Sequence, residues 1–84
     1  MGYHINDIPR GVYGHASKIE EEFAEWQDAI EQGSAIMELV ELSDLIGAID
    51  FYLEKQYGLG IGDLLVMQEI TKRAFQDGTR KARD

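Results

Sequence analysis

Apolar residues recur at helical spacing along most of this sequence, and glycines divide the pattern into three stretches. Phe23, Trp26 and Ile30 follow Ile19 at +4, +7 and +11, which is one face of a helix with 3.6 residues per turn. No stretch shows the strict alternation of apolar and polar residues that a half-buried strand requires. The pattern therefore predicts an all-α chain, and 84 residues are enough for one domain.

Capping and stop signals give the expected bounds of three helices. Ser17 and Glu20 have the S-x-x-E spacing of a capping box, which predicts a first helix from Ser17 to Gly33. The second helix is expected over about residues 34–57, before a glycine-rich turn. Asp63 is the predicted N-cap of the third helix.

The ends of the chain differ from its middle. Residues 1–16 contain the only proline and no helical periodicity, so we expect an irregular N-terminal arm. Residues 79–84 are expected to form a basic tail. The whole chain, 1–84, is interpreted as a single helical domain.

A chain this short is poor in core and is expected to need a partner. A domain near this size buries only about 60% of the surface that its unfolded chain exposes, and without cysteine no disulfide can add stability. The second helix is also apolar on two sides, because Leu42, Ile46, Ile49 and Leu53 form a stripe about 80–140° away from Glu41. We therefore expect a bundle of about three helices per chain, completed by oligomerisation into a homodimer or a dimer of dimers.

Charge and hydropathy exclude several classes of function. The formal charge is −8, and a surface that coats DNA or RNA needs a basic face, so no nucleic-acid polymer is expected as a partner. No apolar run approaches the roughly 20 residues of a membrane span, and the N-terminus does not resemble a signal peptide. We expect a cytoplasmic protein that does not bind a membrane. The bases gather near the C-terminus: Lys72, Arg73, Arg80, Lys81 and Arg83.

Two carboxylates of the second helix fall on an apolar face. Asp44 lies about 60° from Glu41 on the helical wheel, and four apolar residues lie within about 40° of Glu41. These are Met37, Leu45, Ala48 and Tyr52. Buried carboxylates are costly unless a cation accompanies them. The alternative is that both acids lie at an exposed edge or form salt bridges with Lys72 or Arg73.

The spacing of the acids favours a metal as that cation. Residues three apart on a helix are close neighbours, so Glu22 with Glu25, and Glu41 with Asp44, can each converge on one ion. Two such pairs on facing helices would form an all-oxygen cage. Oxygen ligands without cysteine or histidine favour Mg²⁺, Mn²⁺ or Ca²⁺ over zinc.

The remaining polar residues of this region are assigned no site role from the pattern. His4 and His15 lie in the arm without the spacing of ligands, so they are interpreted as surface or packing residues. Glu20, Asp28 and Glu31 point away from the apolar stripe and are expected to form a solvated face.

Both acidic motifs resemble those of a known enzyme family. K-I-E-E-E-F-A-E-W at residues 18–26, followed by E-L-S-D-L-I-G-A-I at residues 41–49, resembles the E-E-x-x-E and E-x-x-D motifs of the MazG-like nucleotide pyrophosphohydrolases. That family is all-helical and uses Mg²⁺ to hydrolyse nucleoside triphosphates, often deoxynucleotides, to the monophosphate and pyrophosphate. The resemblance extends more weakly over about residues 8–80.

The resemblance implies a role for each motif acid. Glu22, Glu25, Glu41 and Asp44 would be ligands of Mg²⁺, for which Mn²⁺ could substitute. Glu21 would be an outer ligand or the general base that deprotonates the attacking water, although the wheel places it about 200° from the apolar stripe.

The resemblance also implies a cation that binds the substrate phosphates on the last helix. Lys72 is the candidate, with Arg73 and Arg80 behind it, and Glu69 stands where many members have asparagine. Larger relatives have a further helix that this sequence lacks, so another chain would complete the bundle.

Two other functions remain open from the sequence. The first is a non-enzymatic acidic helical adaptor, whose carboxylates are solvated and whose second helix binds a partner protein. The second is a regulatory nucleotide sensor that keeps the site without turnover. Stabilisation by Mg²⁺ distinguishes the adaptor from the enzyme, and binding without product identifies the sensor.

Overall fold

The computed structural model describes residues 4–76 and contains three α-helices. These are α1 (Ala16–Gln32), α2 (Ala35–Tyr57) and α3 (Ile61–Gln76). No strand occurs between residues 4 and 76, so the all-α prediction and the number of helices are confirmed there. Residues 4–15 are irregular, and the expected basic tail at 79–84 lies outside the described residues.

The start of α1 differs from the predicted capping box. The N-cap is His15, which makes no side-chain capping bond, and Ser17 is already inside the helix. The Ser17 hydroxyl instead accepts a hydrogen bond from the Val12 N–H at 3.1 Å, because the arm folds back over the first turn. The predicted N-cap at Ser17 is therefore wrong. The stop at Gly33 is confirmed, and its φ of 74° lies in the left-handed region that glycine tolerates.

The bounds of α2 agree with the prediction. Ser34 is the N-cap, and its hydroxyl accepts a hydrogen bond from the Met37 N–H at 3.2 Å. Gly58 ends the helix with a φ of 68°, and its N–H donates to the carbonyls of Glu54 and Leu53.

The third helix begins two residues before the predicted N-cap, so that prediction is wrong. Asp63 is the third residue of α3, and its Oδ2 accepts a hydrogen bond from the Gly60 N–H at 2.9 Å. Asp50 of α2 accepts the Ile61 N–H at 2.7 Å. A carboxylate from another helix thus satisfies a donor that a helix start leaves without an intrahelical partner.

The first two helices form a hairpin, and α3 is attached only to its second helix. The connection between α1 and α2 is two residues long, so the helices pack as antiparallel neighbours. Gln56 near the end of α2 donates to the carbonyl of Gly14, just before α1. Within residues 4–76, α3 packs against α2 and not against α1.

The buried part of α1 is largely polar. Its buried residues are Lys18, Glu22, Asp28 and Ala29. The apolar stripe predicted as core lies one position further along the chain, about 100° round the helix. In consequence, Phe23 and Ile30 remain 45% exposed.

Large apolar side chains stay exposed on all three helices. No residue of α3 is buried, and the exposed apolar residues of α2 include Leu39, Val40 and Ile46. The accessible surface is 6503 Å², whereas a compact monomer of 9.5 kDa exposes about 5,000 Å². The radius of gyration is 15.5 Å, against about 12 Å for a compact chain of this length. Within residues 4–76, the helices therefore leave much of their apolar surface exposed.

The apolar character of the helices does not reach that of a membrane span. Within the described residues, none of the helices combines the length and the hydropathy needed to cross a bilayer.

Candidate functional site

The structure brings the acids of both motifs together between α1 and α2. Carboxylate oxygens of Glu22, Glu41 and Asp44 lie within 4.8 Å of one another. Oxygens of Glu21, Glu22 and Glu25 form a second group of the same size. We call these five residues the acid cluster. It contains every motif carboxylate that the sequence singled out, including Glu21, which the wheel had placed on another side of α1.

Two members of the acid cluster are buried with an oxygen that lacks a hydrogen-bond donor. Glu41 is only 1% exposed and Glu22 only 6%. The Oε1 atoms of both have no hydrogen-bond partner among the described residues. Buried polar atoms are nearly always satisfied, so these two oxygens are the acceptors in the cluster at which a cation or a proton could bind.

Lys18 supplies part of the positive charge that the acid cluster needs. Its Nζ lies 3.1 Å from Glu21 Oε1 and 3.1 Å from Glu22 Oε2. Burial acts to lower the pKa of Lys18, but the hydrogen bonds to the two glutamates raise it above its ordinary value, and the amine is charged. The sequence carried the signal for this contact, because Lys18 precedes the two acids by three and four residues on one helix face.

Backbone of the arm holds Glu21 in the cluster. The Gly11 N–H donates to Glu21 Oε1 at 2.7 Å. A Cβ at Gly11 would collide with the carbonyl of Ser17, so the close approach of arm and helix requires a glycine here. Burial acts to raise the pKa of Glu21, but the bonds from Gly11 and Lys18 outweigh it and lower the pKa.

Burial and crowding of the acids raise the pKa of Glu25 and of Glu41. Burial, followed by the charge of Glu22, raises the pKa of Glu25 to about 8. Burial also raises the pKa of Glu41; the contact with Glu25 opposes it, while the charge of Asp44 acts in the same direction as burial. Without a metal, the Glu25 carboxyl therefore holds a proton at neutral pH.

Asp28 anchors the arm to α1, which corrects its expected place on a solvated face. The residue is 1% exposed. Its carboxylate accepts hydrogen bonds from the Ile5 N–H, from the Asn6 N–H and side-chain amide, and from the Gln32 side chain. Burial acts to raise the pKa of Asp28, but these donors lower it to about 2. The helical wheel could not reveal the contact, because the donors come from an irregular segment more than 20 residues earlier.

The anchored arm places His4 beside the acid cluster. Its Nε2 lies 3.7 Å from Glu25 Oε1, and its Nδ1 lies 3.5 Å from Asp28 Oδ1. A ring nitrogen of His4 and oxygens of Glu25 and Glu41 lie within 4.8 Å of one another. The interpretation of His4 as a surface or packing residue overlooked this position, for which no local sequence signal exists.

Two cavities open on the acid cluster, and Glu21 and Glu25 line both. The first, of about 330 Å³, lies over the helices and has the Tyr13 and Phe51 rings on its wall, with centroids 5.2 Å apart. The second, of about 340 Å³, lies under the arm and is lined also by His4, Asn6 and Arg10. Both have the size of small-molecule sites.

The basic residues predicted to bind phosphate lie elsewhere in the single chain. Lys72 is exposed and lines a separate cavity on α3 with Thr71 and Phe75. Arg73 is exposed and lies 3.9 Å from Glu69 on the same helix. Arg80 lies outside the described residues. One copy of the chain thus brings the predicted acids together but does not bring Lys72 and Arg73 to them.

Comparison with protein-family models, curated proteins and solved structures finds no significant match to this chain. The functional assignment therefore depends on the geometry of the acid cluster and on the motifs themselves.

Proposed function

We propose that this protein is a Mg²⁺-dependent nucleoside triphosphate pyrophosphohydrolase, which converts a nucleoside or deoxynucleoside triphosphate to the monophosphate and pyrophosphate. The observation that carries the proposal is the convergence of E-E-x-x-E and E-x-x-D acids from two helices to within 4.8 Å. The resemblance of these motifs to the MazG-like family suggests the reaction.

The residues of the acid cluster fit a hard divalent cation. Glu22, Glu25, Glu41 and Asp44 would hold it, and carboxylate oxygens are the donors that Mg²⁺ and Mn²⁺ prefer. The unpartnered Oε1 atoms of Glu22 and Glu41 are already buried in position. Held by these residues, Mg²⁺ would supply positive charge that attracts the substrate phosphates and offsets the charge of the departing pyrophosphate.

The cavity over the helices has the chemistry of a nucleotide site. Acids occupy one side of it, and the rings of Tyr13 and Phe51 stand on its wall. Aromatic faces stack on nucleobases without selecting among them. In the proposed complex the base lies against these rings, and the triphosphate extends towards the acid cluster.

In the proposed mechanism, Glu21 is the group that accepts a proton from the attacking water. Its carboxylate is held by Gly11 and Lys18, and its lowered pKa keeps it ionised. In the proposed step, water cleaves the anhydride between the α- and β-phosphates, its proton passes to Glu21, and pyrophosphate leaves. Lys18, charged and adjacent, would orient Glu21 in this step.

A second copy of the chain is part of the proposal. The apolar faces of α2 and α3 would be buried in a homodimer or a dimer of dimers, which is the form in which Lys72 and Arg73 of one chain could approach the acids of another. Within residues 4–76, large apolar side chains are exposed on both helices, among them Ile46 at 52% and Leu65 at 59%, and burial against a second copy would remove them from water.

The exposed apolar surface also favours one alternative, a non-enzymatic helical adaptor. Leu39, Val40 and Ile46 could dock a different protein as well as a second copy. An adaptor gains no stability from Mg²⁺, whereas the proposed enzyme does.

The reaction is tested by incubating the full chain with a panel of nucleoside triphosphates and Mg²⁺ and resolving the products by chromatography. We expect monophosphate and pyrophosphate, and no product in excess chelator. Diphosphate and orthophosphate as first products, or full activity in chelator, would refute the proposal. A nucleotide that binds without being hydrolysed would identify a sensor.

A further inference from the structure

We propose that His4 is a metal ligand, which together with Glu25 and Glu41 forms a mixed nitrogen and oxygen corner of the site that takes Mn²⁺ or a similar transition-metal ion in preference to Mg²⁺. The inference rests on the metal cluster of the proposed function but not on turnover. It gives the N-terminal arm a role in metal binding, because His4 lies outside both acidic motifs.

The spacing of the three side chains suits a single ion. A nitrogen of His4 and oxygens of Glu25 and Glu41 lie within 4.8 Å of one another. Two donors on opposite sides of an ion at about 2.1 Å each are about 4.2 Å apart, so modest side-chain adjustment closes the group. A second observation points to a ligand: Glu41 is 1% exposed, and its Oε1 has no hydrogen-bond partner among the described residues.

Asp28 lies beside the ring nitrogen of His4 that would face away from the ion. Metal-binding histidines usually present one ring nitrogen to the ion and the other to a carboxylate, which fixes the tautomer and raises the basicity of the ligand. In His4 the Nδ1 lies 3.5 Å from Asp28 Oδ1 without a hydrogen bond to it, and the Nε2 lies 3.7 Å from Glu25 Oε1, so a small rotation of the ring on metal binding would complete this arrangement. The carboxylate of Asp28 is in turn fixed by the backbone N–H groups of the next two arm residues.

The donor set predicts the choice of ion. Four carboxylates alone would serve Mg²⁺, Mn²⁺ and Ca²⁺, whereas an imidazole nitrogen adds affinity for transition metals and little for Mg²⁺. His4 therefore gives the site a preference for Mn²⁺. A protonated His4 that only neutralises the acids would give none.

Pulsed electron paramagnetic resonance of the Mn²⁺-loaded full chain tests this directly, because it detects a coordinated ¹⁴N nucleus. The chain contains two histidines, His4 and His15, which makes His15→Asn the matched control. His15 is exposed at the start of α1, and asparagine is a favoured N-cap. We expect nitrogen coupling in the wild type and in His15→Asn, and its loss in His4→Asn.

Two further measurements keep the test independent of folding and of catalysis. Incorporation of ¹⁵N-histidine into the wild type should replace the ¹⁴N signal without any substitution. By calorimetric titration, His4→Asn should lower the affinity for Mn²⁺ at least about tenfold, since even outer-shell changes cost roughly 10–100-fold, and should lower that for Mg²⁺ less.

Bound Mn²⁺ without nitrogen coupling, coupling that survives in His4→Asn, or no binding of Mn²⁺ would each overturn the assignment. The hydrolysis assay is read separately. Mg²⁺-dependent turnover without nitrogen coupling would support the proposed function and show that His4 is not a ligand. Nitrogen coupling without turnover would support His4 as a ligand and contradict the proposed function.

Discussion

Lys18 and Asp44 affect the charge of the acid cluster in opposite ways. Lys18 bridges Glu21 and Glu22 with a positive charge, while Asp44 adds a negative charge beside Glu22 and Glu41. Like charges held close together raise the free energy of the metal-free protein, and a cation lowers it. A substitution of either residue should therefore change the stability of the metal-free protein and the affinity for metal by different amounts.

Asp44→Asn should weaken Mg²⁺ binding without destabilising the metal-free protein. It removes one repelling charge while keeping the shape of the side chain, and a neutral amide is a poorer ligand for a hard dication. We expect a melting temperature in chelator equal to or above that of the wild type. Most of the rise in melting temperature that Mg²⁺ causes in the wild type should be lost, and the rate of hydrolysis should fall with it.

A matched control for Asp44→Asn is Glu54→Gln, an exposed acid on the same helix. Asp50, which the helical wheel places about 180° from Glu41, is unsuitable because its carboxylate holds the start of α3. If Asp44→Asn melts several degrees lower in chelator while its Mg²⁺ response and hydrolysis are intact, Asp44 is a structural residue and the metal site is wrong.

Lys18→Met should make folding depend on metal. Removing one partner of a buried ion pair costs up to about 3–5 kcal/mol, and protonation of the acids would reduce that loss. We expect a lower free energy of unfolding in chelator, measured with urea, and a larger gain on adding Mg²⁺ than in the wild type. Lys55→Met, at an exposed lysine of α2, is the control. Equal losses of stability with and without Mg²⁺ would show that a bound metal does not replace the charge of Lys18.

At the scale of elements, the sequence predicts the helices but not the contacts that the N-terminal arm makes with them. Helical periodicity and glycine stops give the course of the three helices, and i, i+3 spacing pairs Glu22 with Glu25 on α1 and Glu41 with Asp44 on α2. The misplaced helix starts at Ser17 and Asp63 have one cause: each side chain bonds to backbone before its helix but lies within the helix rather than at its cap. An irregular arm has no sequence period from which its path could be predicted. Neither the position of His4 nor the burial of Asp28 under the arm could therefore be predicted.

Asp28→Ala should detach the arm from α1 while leaving the helices formed. The substitution removes the acceptor shared by Ile5, Asn6 and Gln32, and these groups would turn to water. We expect faster hydrogen exchange at the Ile5 and Asn6 amides and an unchanged helical circular dichroism signal. Glu20→Ala, at an exposed acid of α1, should leave the exchange rates as they are. Unchanged protection of both amides in Asp28→Ala would show that other contacts hold the arm.

At the scale of the whole molecule, several charged side chains are buried while many large apolar ones are exposed. Lys18, Glu22 and Glu41 are buried together with Ala29, Ala48 and Leu53, and large apolar side chains are exposed on α2 and α3. The two-sided apolar pattern of α2 was visible in the sequence, and Leu42 and Ile46 are indeed exposed. Which face meets α1 was not visible, because it depends on carboxylates that are stable inside only with Lys18 and, as we propose, a metal.

The oligomer is tested by light scattering coupled to size-exclusion chromatography. We expect a species of at least twice the 9.5 kDa of the chain at micromolar concentration. Ile46→Glu should shift it towards the monomer, because Ile46 is 52% exposed on the open face of α2 and the new carboxylate would be buried without a partner. Such a charge costs several kcal/mol, and each roughly 1.4 kcal/mol weakens association tenfold. Gln27→Glu adds the same charge at an exposed polar position of α1 and should leave the mass unchanged. A wild-type chain that runs as a stable monomer would show that the exposed faces of α2 and α3 are not joined by a second copy.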